Sequence, residues 1–541
     1  MDTREILNEL KLTAQLMELH NENSFKSAAI ANATYKLGKA HVALDSPSLL
    51  EMEANPLIGK SLAGKIFELQ TTGKLSELEA LRKKTPEGII EMLSIKGIGP
   101  KKIAAIWKEL EIESVGELLY ACHENRLVTL KGFGLKTQDQ IKKSIEFSEG
   151  NAGKLHYSYA LEIAEKIIFE IEKKNDIELI SVTGELRRKN EVVDSIEILV
   201  GTLTEIDLSD FEIPKTNAVK IIYCAPENYF FKLFETTGSL EHVSELNVPS
   251  KNYFSEEEIY ASLKMQYIEP ELREGTNEIQ LARENKIPKL IELKDLKGII
   301  HNHTTYSDGT NTLREMAEYA KELGYEYLTI CDHSKSAVYA NGLQYERVLA
   351  QFQEIDKLNK ELFPFKIFKG IESDILNDGS LDYDEKILEQ FDIIVASVHS
   401  NLKMDEEKAT QRLLKAIENP YTTILGHPTG RLLLSRPGYP LQMEKMIDAC
   451  AENNVIMELN SHPYRLDIDW RWISYCIEKG VKISINPDAH YKGGYHDMIY
   501  GIGTARKGML TKENCFNALS LSEMEKYVSQ LKQLKSENKS C

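Results

Sequence analysis

Nine imidazole and carboxylate side chains punctuate the C-terminal half of this 541-residue sequence at the ends of short apolar runs. In chain order they are His301 and His303, Asp308, His333, Glu372, His399, His427, Asp488 and His490. The runs read GIIHNH, YLTICDH, FKIFKGIE, DIIVASVH, YTTILGH, NVIMELN and KISINPDAH. Imidazole and carboxylate suit zinc, manganese and iron, and the lack of cysteine in the set argues against a thiolate-rich structural zinc site. A lone histidine at a strand end is more often a satisfied core residue; a whole series of them points to bound divalent ions. Two such ions a few ångströms apart can lower the pKa of a water and clamp the attacking and leaving oxygens of an in-line displacement at phosphorus. A third can offset charge that builds on a nonbridging oxygen.

The elements that must position these groups follow from the same pattern. Short apolar strands alternating with helical segments predict a parallel sheet, and this many units favour a closed β/α barrel over an open sheet. In such a barrel the C-terminal strand ends meet at one mouth, so nine ligands at nine strand ends form one site. Asp332, beside His333, is expected to orient a ligand histidine rather than to bind an ion.

The motifs HNHTTYSDG at His301, CDHS at Cys331, GIESD at Gly370, ASVHS at Ala396, GHPTGR at Gly426, ELNSHPYRLD at Glu458 and NPDAH at Asn486 resemble the polymerase and histidinol phosphatase (PHP) domain. The resemblance implies a distorted, TIM-like β/α barrel and three divalent ions, Mn2+ and/or Zn2+ with Fe2+ as a further option. It implies that His301, His303, Glu372 and Asp488 hold one ion, that Glu372, His399 and His427 hold a second, and that Asp308, His333 and His490 hold the third. His301, His303, Glu372 and Asp488 are then the central catalytic set. Arg431 and Arg465 are candidates for phosphate contacts, with structural salt bridges as the competing reading.

Residues 1–150 read as helical, with apolar residues at three- and four-residue spacing. Three glycine turns resemble one another: NPLIGKSLAGKI, IKGIGPKKIAAIW and LKGFGLKTQDQI. Each sets a glycine loop before a helix with an early lysine, the arrangement of a helix-hairpin-helix that offers backbone N–H groups and a dipole end to a phosphate. The DNA-binding candidates are Gly59 with Lys60, Gly97 and Gly99 with Lys101, and Gly132 and Gly134 with Lys136. Phosphate contacts position without reading bases, so the expected partner is gapped, nicked or 3′-damaged duplex DNA of any sequence.

Between 151 and 285 the texture changes to mixed strand and helix, followed by YIEPELREG at Tyr267. With the hairpins before it, this half resembles the family X DNA polymerases, whose bacterial members carry a C-terminal PHP domain. That family needs a Gly-Ser pair followed by Arg-Arg, an Asp-x-Asp, and a third Asp on a later strand to hold two magnesium ions. Here Gly184, Arg187 and Arg188 are in place, but Glu185 stands where serine belongs, Ser195 and Glu197 fill the Asp-x-Asp, and Lys220 falls at the third aspartate. A Tyr-Phe-x-Gly segment is replaced by Glu235, Thr236, Thr237 and Gly238. Polymerase activity is therefore expected to be lost, with Asp194 paired to Glu197 as the one escape. By the same resemblance Lys65 matches the Schiff-base lysine of a lyase domain, with phosphate binding or simple exposure as the alternative.

The composition bounds the rest. The net charge of −18 is unevenly spread: residues 1–150 carry 20 Lys+Arg against 21 Asp+Glu, which leaves −17 for residues 151–541. DNA contact must thus rely on local phosphate clamps. Seven cysteines without a CxxC pair argue against a zinc ribbon, a redox motif or a disulfide framework. The expected address is cytoplasmic, and the expected state a monomer without membrane contact. The division reads as a lyase-like helical domain (1–90), a fingers-like helical region (91–150), a degenerate palm and thumb (151–285), a linker (286–297), the PHP domain (298–530) and a polar tail (531–541). Three functions compete: a manganese-stimulated 3′→5′ exonuclease with phosphatase or abasic-nicking capacity, a histidinol-phosphate-type phosphatase, and a non-catalytic DNA-binding scaffold.

Overall fold

The computed structural model describes all residues except 41, 45–47, 96, 150–152, 175–176, 207–217 and 539–541. The boundary expected at 150/151 and the last three residues of the expected tail lie outside that set. The chain divides into two compact units, Met1–Glu146 and Phe147–Cys541. The expected palm and barrel therefore share one unit, and the stretch expected as a linker is part of its packing. Ile287, Leu290 and Ile291 are buried, and Ile291 N donates to Leu510 O at 2.9 Å.

Among its described residues the first unit contains helices and turns and no strand. Its three hairpin turns precede the helices Lys60–Thr72, Pro100–Leu110 and Leu135–Glu149. Gly97 and Gly132 take φ of +96° and +88°, which side chains with a Cβ rarely adopt, so these turns demand glycine.

The second unit opens with β1 (Leu155–His156), β2 (Ile180–Thr183), β3 (Val192–Val193), β4 (Ile196–Val200) and β5 (Val219–Tyr223). β1 pairs antiparallel with β3, while a small sheet runs β2-β4-β5, antiparallel then parallel. The apolar face of helix Tyr157–Lys174 covers it through Ile163, Ile167 and Ile171.

The barrel strands are β6 (Gly298–Ile299), β7 (Tyr327–Ile330), β8 (Lys366–Asp374), β9 (Ile393–Ser397), β10 (Ile424–Leu425), β11 (Ile456–Asn460) and β12 (Ile483–Asn486). They form one parallel sheet in sequential order. A bridge between Asn302 and Ala489, with His303 N donating to Ala489 O at 2.8 Å, nearly closes it. Both faces are buried, which is why these strands read as unbroken apolar runs rather than alternating ones. Seven strands replace the nine ends expected: β6 and β12 each supply two ligands, Asp308 sits on the loop after β6, and β11 supplies none of the nine.

Palm and barrel are joined by long-range ion pairs. The buried Lys507 amine donates to Arg188 O (3.1 Å), to Asn190 Oδ1 (2.9 Å) and to Glu274. Arg431 Nη2 reaches Glu191 Oε1 at 2.6 Å. The last helix, Leu521–Asn538, runs through the point where a polar tail was expected to begin.

Candidate metal centre

Glu372, near the end of β8, is the hub of the barrel mouth. Its Oε1 lies 3.2 Å from His301 Nε2, 3.1 Å from His399 Nε2 and 3.0 Å from His427 Nε2. Its Oε2 lies 2.9 Å from His333 Nδ1 and 3.7 Å from His303 Nε2. Asp488 Oδ1 is 3.0 Å from His303 Nε2 and 3.5 Å from His301 Nε2. Asp308 faces His333 Nε2 and His490 Nε2, each at 3.5 Å. All nine candidate ligands thus meet, and three groups have ligand atoms within 4.8 Å of one another: His301/His303/Asp488, His303/Asp308/His333/His490, and His333/Glu372/His399. The grouping differs from expectation in that Glu372 is missing from the His301 set, His303 also joins the Asp308 set, and His333 stands where His427 was expected, although Glu372 approaches both His301 Nε2 (3.2 Å) and His427 Nε2 (3.0 Å).

The backbone is strained where the mouth is built. His301, His427 and Asp488 take φ of +59°, +24° and +51°, a region costly for residues with a Cβ and concentrated at functional sites. Each follows a strand end.

The donor set fits cations. His301 Nε2, His303 Nδ1, His333 Nδ1, Asp308 Oδ2 and Glu372 Oε2 are buried without a hydrogen bond, although His333 Nδ1 and Glu372 Oε2 are close. Buried polar atoms are nearly always hydrogen-bonded, and imidazole and carboxylate atoms that converge while left without a hydrogen bond suit metal ions. Burial alone would raise the carboxyls, yet the surrounding imidazoles hold Asp308, Glu372 and Asp488 well below the usual range. Burial would likewise depress His399, but Glu372 and Asp374 push it up to about 9.

A supporting layer fixes which ring nitrogen faces the centre. Glu458 Oε1 lies 2.6 Å from His301 Nδ1 and accepts Asn486 Nδ2–H at 2.7 Å, while its Oε2 accepts the His427 N–H at 2.6 Å. Asp374 Oδ1 lies 2.6 Å from His399 Nδ1. Such contacts orient the ligand and turn Nε2 inward. Sequence reasoning missed both carboxylates. The signal was strand periodicity: Asp374 follows Glu372 by two along β8 and so shares its face. The orienting role expected of Asp332 is corrected, since its carboxylate accepts from Thr304, Ser307 and Gln351 and so ties down the loop after β6.

Arg431 is held in the salt-bridge role. Nε donates to Arg465 O (3.0 Å), Nη1 to Asp469 Oδ2 (3.0 Å), and Nη2 to Glu191 Oε1 and Leu466 O. Those bonds engage each nitrogen and use four of the five N–H groups, so the guanidinium is committed to holding these segments together. Arg465 is buried beside it.

In the palm, Lys220 Nζ lies 3.1 Å from Glu197 Oε1 and 3.2 Å from Ser195 Oγ, while Asp194 pairs instead with Lys154 at 3.5 Å. Glu185 Oε2 accepts the Asp194 N–H at 2.7 Å. In the helical unit, Lys65 is engaged by Glu77, which also binds Lys26 at 2.5 Å. Gly59, Lys60, Gly97, Gly99, Lys101, Gly132, Gly134 and Lys136 are all exposed. A Cβ added at Gly59, Gly99 or Gly134 would meet nothing within 4 Å, so packing does not demand glycine there.

Residues 300–462 match the PHP domain family, and residues 89–146 match the SAM-like helix-hairpin-helix tandem, which takes in the second and third hairpins. "Probable phosphatase" proteins of Acetivibrio thermocellus and Clostridium novyi are 29% and 27% identical over 37% and 35% of this chain, and over 83% and 78% of their own lengths. The "DNA polymerase/3'-5' exonuclease PolX" of Bacillus subtilis is 34% identical over 98% of this chain and 99% of its own. A likeness that runs nearly end to end in both proteins, with a PHP barrel behind a helix-hairpin-helix unit, places this chain in the family X DNA polymerases that carry a C-terminal PHP domain.

Proposed function

We propose that this chain is a metal-dependent 3′→5′ exonuclease that trims or cleans 3′ ends on gapped or nicked DNA at the barrel mouth, and that its palm no longer polymerises. The observation that carries the reading is the convergence of five imidazoles, from His301, His303, His333, His399 and His427, within 3.7 Å of the Glu372 carboxylate.

Three divalent ions, Mn2+ and/or Zn2+ with Fe2+ as a further option, would be held by His301, His303, Glu372 and Asp488, by Glu372, His399 and His427, and by Asp308, His333 and His490. When bound, such ions supply Lewis-acid chemistry that makes water acidic and neutralises charge at phosphorus. The chain's own part is to hold these side chains before substrate arrives. Glu458 and Asp374 keep Nδ1 of His301 and His399 occupied, so their Nε2 atoms face Glu372. The exposed glycine turns and Lys60, Lys101 and Lys136 offer phosphate-sized contacts that would recruit duplex without reading its sequence. In the palm, an ammonium between Ser195 and Glu197 disfavours a divalent ion. Lys65, engaged by Glu77, would have to leave that pair before attacking a sugar.

A second reading, a small-molecule phosphatase, is favoured by the phosphatase-named relatives, which match about a third of this chain. A 3′-labelled gapped duplex with manganese, compared between the intact protein and Asp488→Ala, separates the possibilities. Progressive shortening lost in the variant supports the exonuclease; phosphate released from a sugar phosphate without shortening supports the phosphatase. Binding without turnover supports a scaffold and overturns both.

A further inference from the structure

The loop after β7 carries an aromatic side chain against the metal centre that none of the ion-binding roles uses. The Tyr339 ring makes T-shaped contacts with His333 (centroids 6.1 Å apart, planes at 61°) and with His399 (6.4 Å, 70°). Those histidines follow different strands and, with Glu372, make up one of the three groups whose ligand atoms lie within 4.8 Å of one another, so Tyr339 packs against that group at two points. It is half-buried, and its neighbour Val338 is 83% exposed.

An exposed valine beside a buried polar centre could reflect a loose loop, but this loop is tied at many points. Ser336 Oγ donates to Asp374 Oδ2 at 2.6 Å, and Asp374 is the carboxylate that also orients His399. Ser336 N donates to Asp382 Oδ2 (2.6 Å), Gly342 N to Ala337 O (3.0 Å) and Leu343 N to His333 O (2.8 Å). Arg347 Nη1 reaches Asn341 O at 2.8 Å. The loop closes so tightly at Gly342 that a Cβ there would lie 1.9 Å from Ser334 O. Val338 and Tyr339 are thus held as a rigid apolar step at the rim.

We propose that Val338 and Tyr339 form a subsite for the nucleobase of the 3′-terminal nucleotide. This rests on the exonuclease reading. A base is one sugar removed from the phosphate it follows, and Tyr339 is one side chain removed from ligands that would face that phosphate. A fixed aromatic takes any base through its π-face, which matches a nuclease that does not read sequence. The phosphate of a small sugar ester has no use for such a step.

The test compares two gapped duplexes, identical except that the 3′-terminal residue bears a base in one and is an abasic tetrahydrofuran in the other. kcat and KM are measured with manganese for the full-length protein and for Tyr339→Ala, Tyr339→Leu and Tyr339→Phe, with ion content determined on each. The unmodified protein is expected to favour the base-bearing end, mainly through KM. Tyr339→Ala should lower that preference about tenfold, the change that about 1.4 kcal/mol of stacking makes. Tyr339→Leu, which keeps bulk against the two histidines, should lose most of it, and Tyr339→Phe should retain it. An unmodified protein indifferent to the base overturns the subsite and leaves the exonuclease standing, as does an Ala variant that slows both ends equally. Absence of cleavage at either end by the unmodified protein overturns the exonuclease and the subsite together.

Discussion

Lys220 Nζ sits 3.1 Å from Glu197 Oε1 across the parallel pair β4–β5, where the two residues are direct register partners. Glu197 also fills the space over Gly184, since a Cβ there would come within 2.5 Å of its Oε2. The ammonium therefore occupies the ground a divalent ion would need between these strands. The intact protein is expected to add no nucleotide to a gapped primer in magnesium or manganese, and Lys220→Asp alone is expected not to restore addition, because Ser195 still lacks a charge. Primer extension checks this, and extension by the unmodified chain would refute it.

Glu372 touches more of the mouth than any other predicted ligand, so its loss should cost more than one ion. Glu372→Gln is expected to lower the bound-ion count further than Asp308→Ala does, with nuclease activity falling alongside. Elemental analysis of protein dialysed against trace manganese gives the count; equal losses in the two variants would remove Glu372 from the hub.

Glu458 ligates nothing by expectation, yet it fixes His301 and the His427 backbone at once. Glu458→Gln can present an N–H where the His301 Nδ1–H needs an acceptor. Loss of a partner of this kind costs about 10–100-fold in metal affinity or activity. Manganese titration followed by activity should give that loss, with the fold intact by circular dichroism.

Acid should loosen the palm through Glu256. Burial alone would raise this carboxyl, but Arg187, with Nη1 at 3.0 Å, and Arg273 together hold it below the usual range. A carboxyl depressed in the folded state adds stability that is fully present above its unfolded pKa of about 4.3. That stability drains away as pH falls through the lower folded value. The unfolding-temperature gap between the intact protein and Glu256→Gln is expected to be wide at pH 7 and to shrink below about pH 4, in the same direction as the linkage. A gap that stays constant across that range would assign the pair no role in acid stability.

Most of the ligands were legible because they stand where a strand runs out, a place at which an apolar run gives way to one residue with chemistry; Asp308, on the loop after β6, and Glu372, inside β8, were legible through the motifs HNHTTYSDG and GIESD. Glu458 was not: it stands two residues before the end of β11, as Glu372 does in β8, but the resemblance gave it no ligand role, and only its contacts with His301 and the His427 backbone reveal what it does. The apparent linker misled for a related reason: KIPKLIELKDLKG is lysine-rich, but Ile287, Leu290 and Ile291 point into the core while Lys286, Lys289 and Lys294 stay in solvent. The union of palm and barrel was invisible, since Glu191 and Arg431, or Glu274 and Lys507, are more than 200 positions apart and resemble any surface charges until the fold pairs them. Arg431 is the instructive case: its motif suggested phosphate, and only its partners reveal a tie.

That tie makes the barrel's chemistry answerable to the palm. Arg431 staples the loop bearing His427 to residues 465–469, and the palm's Glu191 closes the cage, with both side chains nearly buried. Burial raises Glu191, and Arg431 opposes that rise. Removing one partner leaves a charge buried without compensation, which costs about 3–5 kcal/mol, whereas removing both can cost far less. Arg431→Met is thus expected to destabilise strongly and to weaken the retention of ions by the His427 loop, and the added change Glu191→Leu should recover much of the stability. A double-mutant cycle in urea measures the coupling. Additive losses in the two single variants would mean that the palm merely touches the barrel, and that the nuclease centre keeps its shape without it.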